Sequence, residues 1–267
     1  MDSSVSQPFV EQESGTAWHT RPMMTAPSPG AAVQTALAAA RIAEMKEYGV
    51  QVWTAQPAQL RESQWAQLAP LLDETEQRRS RQFRMAADCR AFVLAHALRR
   101  AALAQALALA PPEIVISHEA SGKPVLAGRA ADAICFSHSR CREAVAVAVS
   151  QAGPIGIDVA SIDAAAADFD LLARFVALPE ARRREAELGN DPARQFFFYW
   201  TALEAFWKAA GTGLASGNPR IRCARNRSGT FDILLETGAA PYSGARIIPV
   251  SAPPGCMVTL ACLTPAS

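Results

Sequence analysis

Charge is scarce in this chain, and neither sign prevails. Only 19% of the 267 residues are charged, and Lys+Arg 26 against Asp+Glu 25 leaves a formal net charge of +1. A dedicated nucleic-acid or membrane-surface binder carries a strongly basic footprint, so neither role is expected, although a local basic pocket remains compatible. No apolar run reaches the ~18 residues that a membrane span requires. The opening MDSSVSQPFVEQESG lacks the basic start and apolar core of a secretory signal, and a cytoplasmic location is expected. The six cysteines form no C-x-x-C pair, which argues against a structural zinc site and a disulfide framework; free, reduced thiols are expected. What is abundant is apolar surface. Hydrophobic residues make up 50%, enough for a sizeable core, so disorder over the whole chain is excluded. The length fits one large domain or two small ones.

Residues 1–45 differ from the rest. Ser, Gln, Thr and Pro dominate up to Pro29, and an Ala-rich stretch follows to Met45. Such a segment buries little, so it is expected to be a mobile, dispensable leader, with a more ordinary start at Met45. The remainder divides into residues 46–152 and 153–267. A strand-like run at 50–53 precedes a helical pattern over 76–110, closed by Pro111-Pro112 and rich in arginine on its polar face. Strand-like runs follow at 114–117, 124–126, 134–137, 144–150 and 155–159. The second part is loosely alike, with helical segments at 169–176, 179–188 and 192–210 and strands at 221–224, 231–235, 245–250 and 257–263. Helices followed by strands, twice, indicate two α+β halves rather than an alternating parallel sheet.

The most informative segment is FFFYWTALEAFWKAAGTGL, residues 196–214. On a helix, Trp200, Glu204 and Lys208 stand four residues apart and share one face. The neighbours are nearly all aromatic or Ala, so the helix is expected to be largely buried. A carboxylate and an ammonium are costly there unless paired or bound to a ligand. In GIDVASID, residues 156–163, Asp158 ends an apolar run, a position shared by metal ligands and plain turn caps. FSHSR, residues 136–140, gathers two hydroxyls, an imidazole and a guanidinium that suit a phosphate. GKPVL places Lys123 in a turn entering a strand. His96, within an Ala/Leu helix, is expected in the core.

In this order, the arginine-rich helix, GKPVL, FSHSR, GIDVA and WTALEAFWKAAGTGL resemble the signature series of the Sfp-type 4′-phosphopantetheinyl transferase superfamily. The resemblance covers residues 50–263, and its specificity lies in the order and spacing of the last two motifs. It implies an α+β fold built as a pseudo-two-fold duplication of two similar halves. It also implies transfer of the phosphopantetheine arm of coenzyme A to a serine of an apo acyl or peptidyl carrier protein, with 3′,5′-ADP leaving. Mg²⁺ is the implied cofactor, coenzyme A the co-substrate, and a monomer the expected state.

By resemblance, Asp158 and Glu204 are the metal carboxylates, Glu204 is the general base, and Lys208 serves the leaving pyrophosphate oxygen. Lys123, Ser137 and His138 match positions that bind coenzyme A, and Arg84, Arg90 and Arg99 are candidates for its 3′-phosphate. Two positions depart from the family pattern. Ala160 stands where a second acidic residue is usual, which removes about one negative charge from the metal site, and Leu203 replaces a common lysine. Arg182, Arg183 and Arg184 suit either an acidic carrier helix or plain solvent. The alternatives are a degenerate member that binds coenzyme A or a carrier protein without transfer, and an unrelated α+β domain with a structural Glu-Lys face.

Overall fold

Valine and alanine alternate through residues 144–149, and that alternation organises the molecule. Val145, Val147 and Val149 point to one side of a strand and Ala144, Ala146 and Ala148 to the other, and all six are buried. A strand buried on both faces belongs to the centre of a layered structure. The computed structural model of the chain describes residues 30–128, 133–175, 191–213, 221–225, 231–235 and 242–265.

The first half comprises α1 (Ala31–Ala38), β1 (Ala40–Met45), β2 (Val50–Ala55), α2 (Glu62–Leu68), α3 (Glu74–Ser80) and α4 (Ala86–Leu107). The small hairpin β3 (Ile116–His118) and β4 (Pro124–Leu126) follows, then β5 (Cys135–Arg140) and β6 (Val145–Ser150). Its main sheet is antiparallel in the order β1-β2-β6-β5. Helix α4 covers one face, where Leu94, Leu98 and Leu103 share a core with Trp53 and the three valines of β6. The second half comprises β7 (Ile155–Ser161), α5 (Phe169–Ala173), α6 (Pro192–Ala210), β8 (Ile221–Arg225), β9 (Phe231–Leu235), β10 (Tyr242–Val250) and β11 (Cys256–Pro265). Its antiparallel sheet runs β7-β11-β10-β9-β8. Among the described residues no helix is long and apolar enough to cross a membrane.

The duplication is visible in the pairing. In the first half the strand before the long helix, β2, pairs with the last strand, β6, which pairs with the penultimate, β5. In the second half β7, β11 and β10 repeat that order around α6. The two sheets meet through their helix-free faces, with Val50, Val52 and the alanines of β6 against Ile155, Ile157, Val159, Val258 and Leu260. Edge strand β5 lies beside edge strand β7, where the Ile157 amide donates to Ser137 Oγ at 3.0 Å. The α+β duplicated fold is therefore present.

Two expectations need correction. Residues 31–45 are not a detached leader, because Val33 and Ala36 of α1 are buried in the first core and β1 pairs with β2 along its whole length. The helical pattern over 76–110 is two helices. Asp73 and Glu76 form a capping box that starts α3. The chain then leaves the helix near residues 81–85, and Phe83 packs against Phe92 with ring centroids 5.2 Å apart. Residues 1–29 and the expected helix at 179–188, with Arg182, Arg183 and Arg184, lie outside the described residues.

Candidate active site between the two halves

Helix α6 carries the charged face, and its ends are locally encoded. Asp191 accepts a hydrogen bond from the Arg194 amide at 3.1 Å, Pro192 occupies the first turn, and Gly211 closes the helix at φ 75°. Most of its residues are buried, including Leu203 at 0% exposure, whereas Trp200, Glu204 and Lys208 are all half-buried on the expected shared face. The helix sits almost on β7. A Cβ built on Gly156 would stand 1.9 Å from the Ala205 carbonyl oxygen, so only glycine permits this approach. The hydroxyls of Thr201 and Thr259 meet at 2.7 Å and pin the helix to β11, where Thr259 is the partner of Asp158.

Asp158 is 6% exposed and projects from β7 toward α6. Its Oδ1 accepts from Lys208 Nζ at 2.6 Å and from Ser139 Oγ at 2.7 Å. Lys208 also donates to Ser139 Oγ at 3.0 Å and to the Ile157 carbonyl at 3.3 Å. Three elements, β5, β7 and α6, therefore converge on one charge pair that joins the halves. Glu204, one helical turn before Lys208, has no hydrogen-bond partner among the described residues. Burial, and then the charge of Asp158, raise its carboxyl above the ordinary value, while Lys208 pulls it back.

Glu204 and Lys208 form part of the wall of a cavity of about 310 Å³ that is also lined by Lys123, Ser137, His138 and Gly211. Lys123 crosses from the first half to donate to the Ala209 carbonyl at 2.7 Å, and burial lowers its pKa. The His138 Nδ1 is buried without a partner among the described residues. Burial and then Arg99 hold this imidazole well below its usual pKa, so it is neutral. Two features escaped sequence reasoning. Ser139, not Ser137, holds Asp158, and strand alternation places both serines on one side of β5. Trp207 lines the same cavity with its indole N–H buried and unpartnered. This indole nitrogen and His138 Nδ1 are both buried polar groups with no hydrogen-bond partner among the described residues.

The three arginines expected at the 3′-phosphate lie outside this cavity. Arg99 is 3% exposed and forms an ion pair with Glu76, which also accepts from Arg100 Nε at 2.8 Å. Arg90 pairs with Glu62 and lies over the Trp65 ring, and Arg84 is exposed. None of the three lines the cavity. Ala160, at the position of the missing acidic residue, packs at the edge of the α6 core. Among the described residues no group of three or more His, Cys, Asp or Glu could hold a metal ion. The carboxylates of Asp158 and Glu204 nonetheless fit a small hard cation that finds its remaining oxygens on a ligand and water. The charge of Asp158 is close enough to oppose ionisation of Glu204, which has no hydrogen-bond partner among the described residues.

A family model described as the 4′-phosphopantetheinyl transferase superfamily matches residues 154–247, and one described as the N-terminal part of a 4′-phosphopantetheinyl transferase matches residues 53–152. The chain belongs to the 4′-phosphopantetheinyl transferase superfamily. The boundary between the two matches falls at the turn from β6 to β7, where the duplicated halves join. The 4′-phosphopantetheinyl transferase HetI of Nostoc sp. is 31% identical over 156 residues, 58% of this chain and 65% of that protein. The 4′-phosphopantetheinyl transferase psf-1 of Bacillus pumilus is 27% identical over 175 residues, 66% of this chain and 73% of that protein. An L-aminoadipate-semialdehyde dehydrogenase-phosphopantetheinyl transferase of Eremothecium gossypii is 34% identical over 154 residues, 55% of this chain and 53% of that protein.

Proposed function

We propose that this chain moves the 4′-phosphopantetheine arm of coenzyme A onto a serine of an apo acyl or peptidyl carrier protein and releases 3′,5′-ADP. The reading is carried by one observation. Glu204, a half-buried carboxylate with no hydrogen-bond partner among the described residues, lines the cavity beside the Lys208–Asp158 ion pair at the junction of two family-matched halves.

Asp158 and Glu204 would hold Mg²⁺, which when bound offsets charge on the pyrophosphate oxygens. Glu204 accepts the proton of the carrier serine hydroxyl, and its raised pKa brings it closer to the working pH of a general base. Lys208 holds positive charge at the cavity edge, where it offsets the negative charge that develops on the leaving phosphate oxygen. His138, neutral and with Nδ1 unpartnered, hydrogen-bonds the coenzyme rather than pairing as a cation. Lys123 and Ser137 line the same wall. All these groups come from one chain, so one copy can carry the whole site, and a cytoplasmic monomer is part of this proposal.

The test is mass spectrometry of a panel of apo carrier proteins incubated with the chain, coenzyme A and Mg²⁺. A carrier gains the mass of one phosphopantetheine arm, and Glu204→Ala abolishes the gain. If coenzyme A binds but no carrier is modified with any divalent metal, the chain is a degenerate member that binds without transfer. The replaced carboxylate at Ala160 is the feature that would favour that outcome.

A further inference from the structure

A second imidazole stands beside His138. His96 of α4 is half-buried and does not line the cavity, yet its ring lies edge-to-face against that of His138, with centroids 5.2 Å apart and planes at 75°. Two further contacts fix its orientation. It stacks on Phe92, one helical turn earlier, with centroids 3.8 Å apart, and its Nδ1 lies 2.9 Å from the Phe92 carbonyl oxygen. A carbonyl oxygen only accepts, so Nδ1 carries the ring proton and donates. Burial and then the charge of Arg99 lower the His96 pKa to about 3, which leaves the ring neutral. The spacing of both elements produces the alignment. Phe92 and His96 are four residues apart, about 6 Å along a helix, and His138 and Arg140 are two apart, about 6.6 Å along a strand. The Arg140 guanidinium accordingly stands over the Phe92 ring, 5.6 Å from its centroid, while His138 meets His96.

We propose that His96 is a positioning residue, which holds the His138 imidazole in one orientation and one tautomer, with Nε2–H as the donor offered to the cavity. Strand β5 fixes where the His138 ring stands but not how its plane is turned, because the last torsion of a histidine is broad. The rigid His96 ring supplies that missing constraint. The tautomer follows from burial. His138 Nδ1 has no partner among the described residues, and a proton there would be a buried donor without an acceptor. The proton of the neutral ring therefore belongs on Nε2, the other nitrogen of a side chain that forms part of the cavity wall. The use of this donor by coenzyme A rests on the reading of the cavity given above. His96 itself touches neither coenzyme nor carrier, so it acts only through His138.

The experiment compares the full wild-type chain with His96→Leu and His96→Gln, which lack a ring, and with His96→Phe, which keeps both ring contacts. Nitrogen-15 NMR of histidine-labelled, ligand-free protein reads the His138 tautomer, and calorimetric titration with coenzyme A reads its affinity. Wild type and His96→Phe are expected to show the proton on Nε2 of His138. In the ringless variants the two nitrogen signals move toward a mixture of tautomers, and coenzyme A binds about three- to tenfold more weakly, the size of a lost edge-to-face contact. The two ringless variants are read separately, so one that fails to fold leaves the other to decide. An unchanged His138 pattern in a folded ringless variant, a wild-type proton on Nδ1, or a His96→Phe variant no better than the ringless ones would overturn the proposal. So would unchanged affinity in ringless variants of a wild type that binds coenzyme A. A wild type that binds no coenzyme A, with the His138 pattern still shifting in the ringless variants, upholds the positioning and overturns the reading of the cavity.

Discussion

Lys208 Nζ lies 2.6 Å from Asp158 Oδ1, and this ion pair ties the end of α6 to β7 with Ser139 of β5 as a third partner. The pair is asymmetric, since the Asp158 side chain is 9% exposed and the Lys208 side chain 32%. Removing the cation leaves a buried carboxylate with one hydroxyl donor. Lys208→Met is therefore expected to cost about 2 kcal/mol of stability, between the ~0–1 of surface pairs and the ~3–5 of fully buried ones. Its effect on transfer is larger, a loss of ~100-fold or more in kcat, because the lost charge faces the leaving group. Steady-state transfer assays beside chemical denaturation measure both, and a variant that loses stability alone would remove Lys208 from the chemistry.

Glu204 makes the opposite prediction for stability. Its carboxyl is raised above the ordinary value by burial and by Asp158, so the folded state holds the proton more tightly than the unfolded chain does. A group shifted this way loses stability as pH rises from its unfolded pKa through its raised folded value, and the penalty is complete above that value. Glu204→Gln is expected to stabilise the ligand-free protein at pH 7, and the gain fades as pH falls below the usual carboxylate range. The same change abolishes transfer. Thermal unfolding of both proteins between pH 4 and 7.5 checks the sign, and a gain that grew toward low pH would contradict the raised pKa.

These two residues were legible in the sequence because a helix has a fixed period. Trp200, Glu204 and Lys208 recur every fourth position in a segment otherwise made of aromatic residues and alanine, and they emerge as its half-buried face. What they touch was not legible. Asp158 stands 50 residues before Lys208 and 19 after Ser139, and no spacing rule links positions brought together by the packing of two sheets. Strand β1 was missed for a related reason. It is an edge strand held by backbone pairing, and none of its six side chains is buried, so no alternating apolar face marks it in the sequence. Arginine count alone does not decide at α4, because a guanidinium reveals nothing of whether a phosphate or a buried carboxylate will claim it.

Glu76 is that carboxylate. It is 8% exposed and accepts from both Arg99 and Arg100, themselves 3% and 4% exposed, while Arg100 also reaches Asp73. Glu76→Gln leaves two buried cations short of a counter-charge and is expected to cost ~3 kcal/mol or more. For a chain of this size that corresponds to a fall of roughly 6–12 °C in the unfolding midpoint. The folded fraction should keep its KM for coenzyme A, because this network lies outside the cavity. A raised KM with an unchanged midpoint would return Arg99 to the coenzyme site.

Gly156 tests whether the charge pair depends on how closely the helix lies against its strand. An added Cβ would stand 1.9 Å from the Ala205 carbonyl oxygen and 2.6 Å from the Ala209 amide nitrogen, both backbone atoms that cannot rotate away. Gly156→Ala must therefore lift α6 off β7. Overpacking of this kind costs typically ~1–3 kcal/mol, and the rigid contact here places the cost at the upper end or beyond. The displacement also separates Lys208 from Asp158, and it draws Glu204 away from the same carboxylate. Transfer is expected to fall at least tenfold more than the loss of folded protein explains, measured as kcat per folded molecule by circular dichroism and assay in parallel. Normal stability and activity in the Gly156→Ala variant would mean that the close packing of α6 on β7 is not what holds the site together.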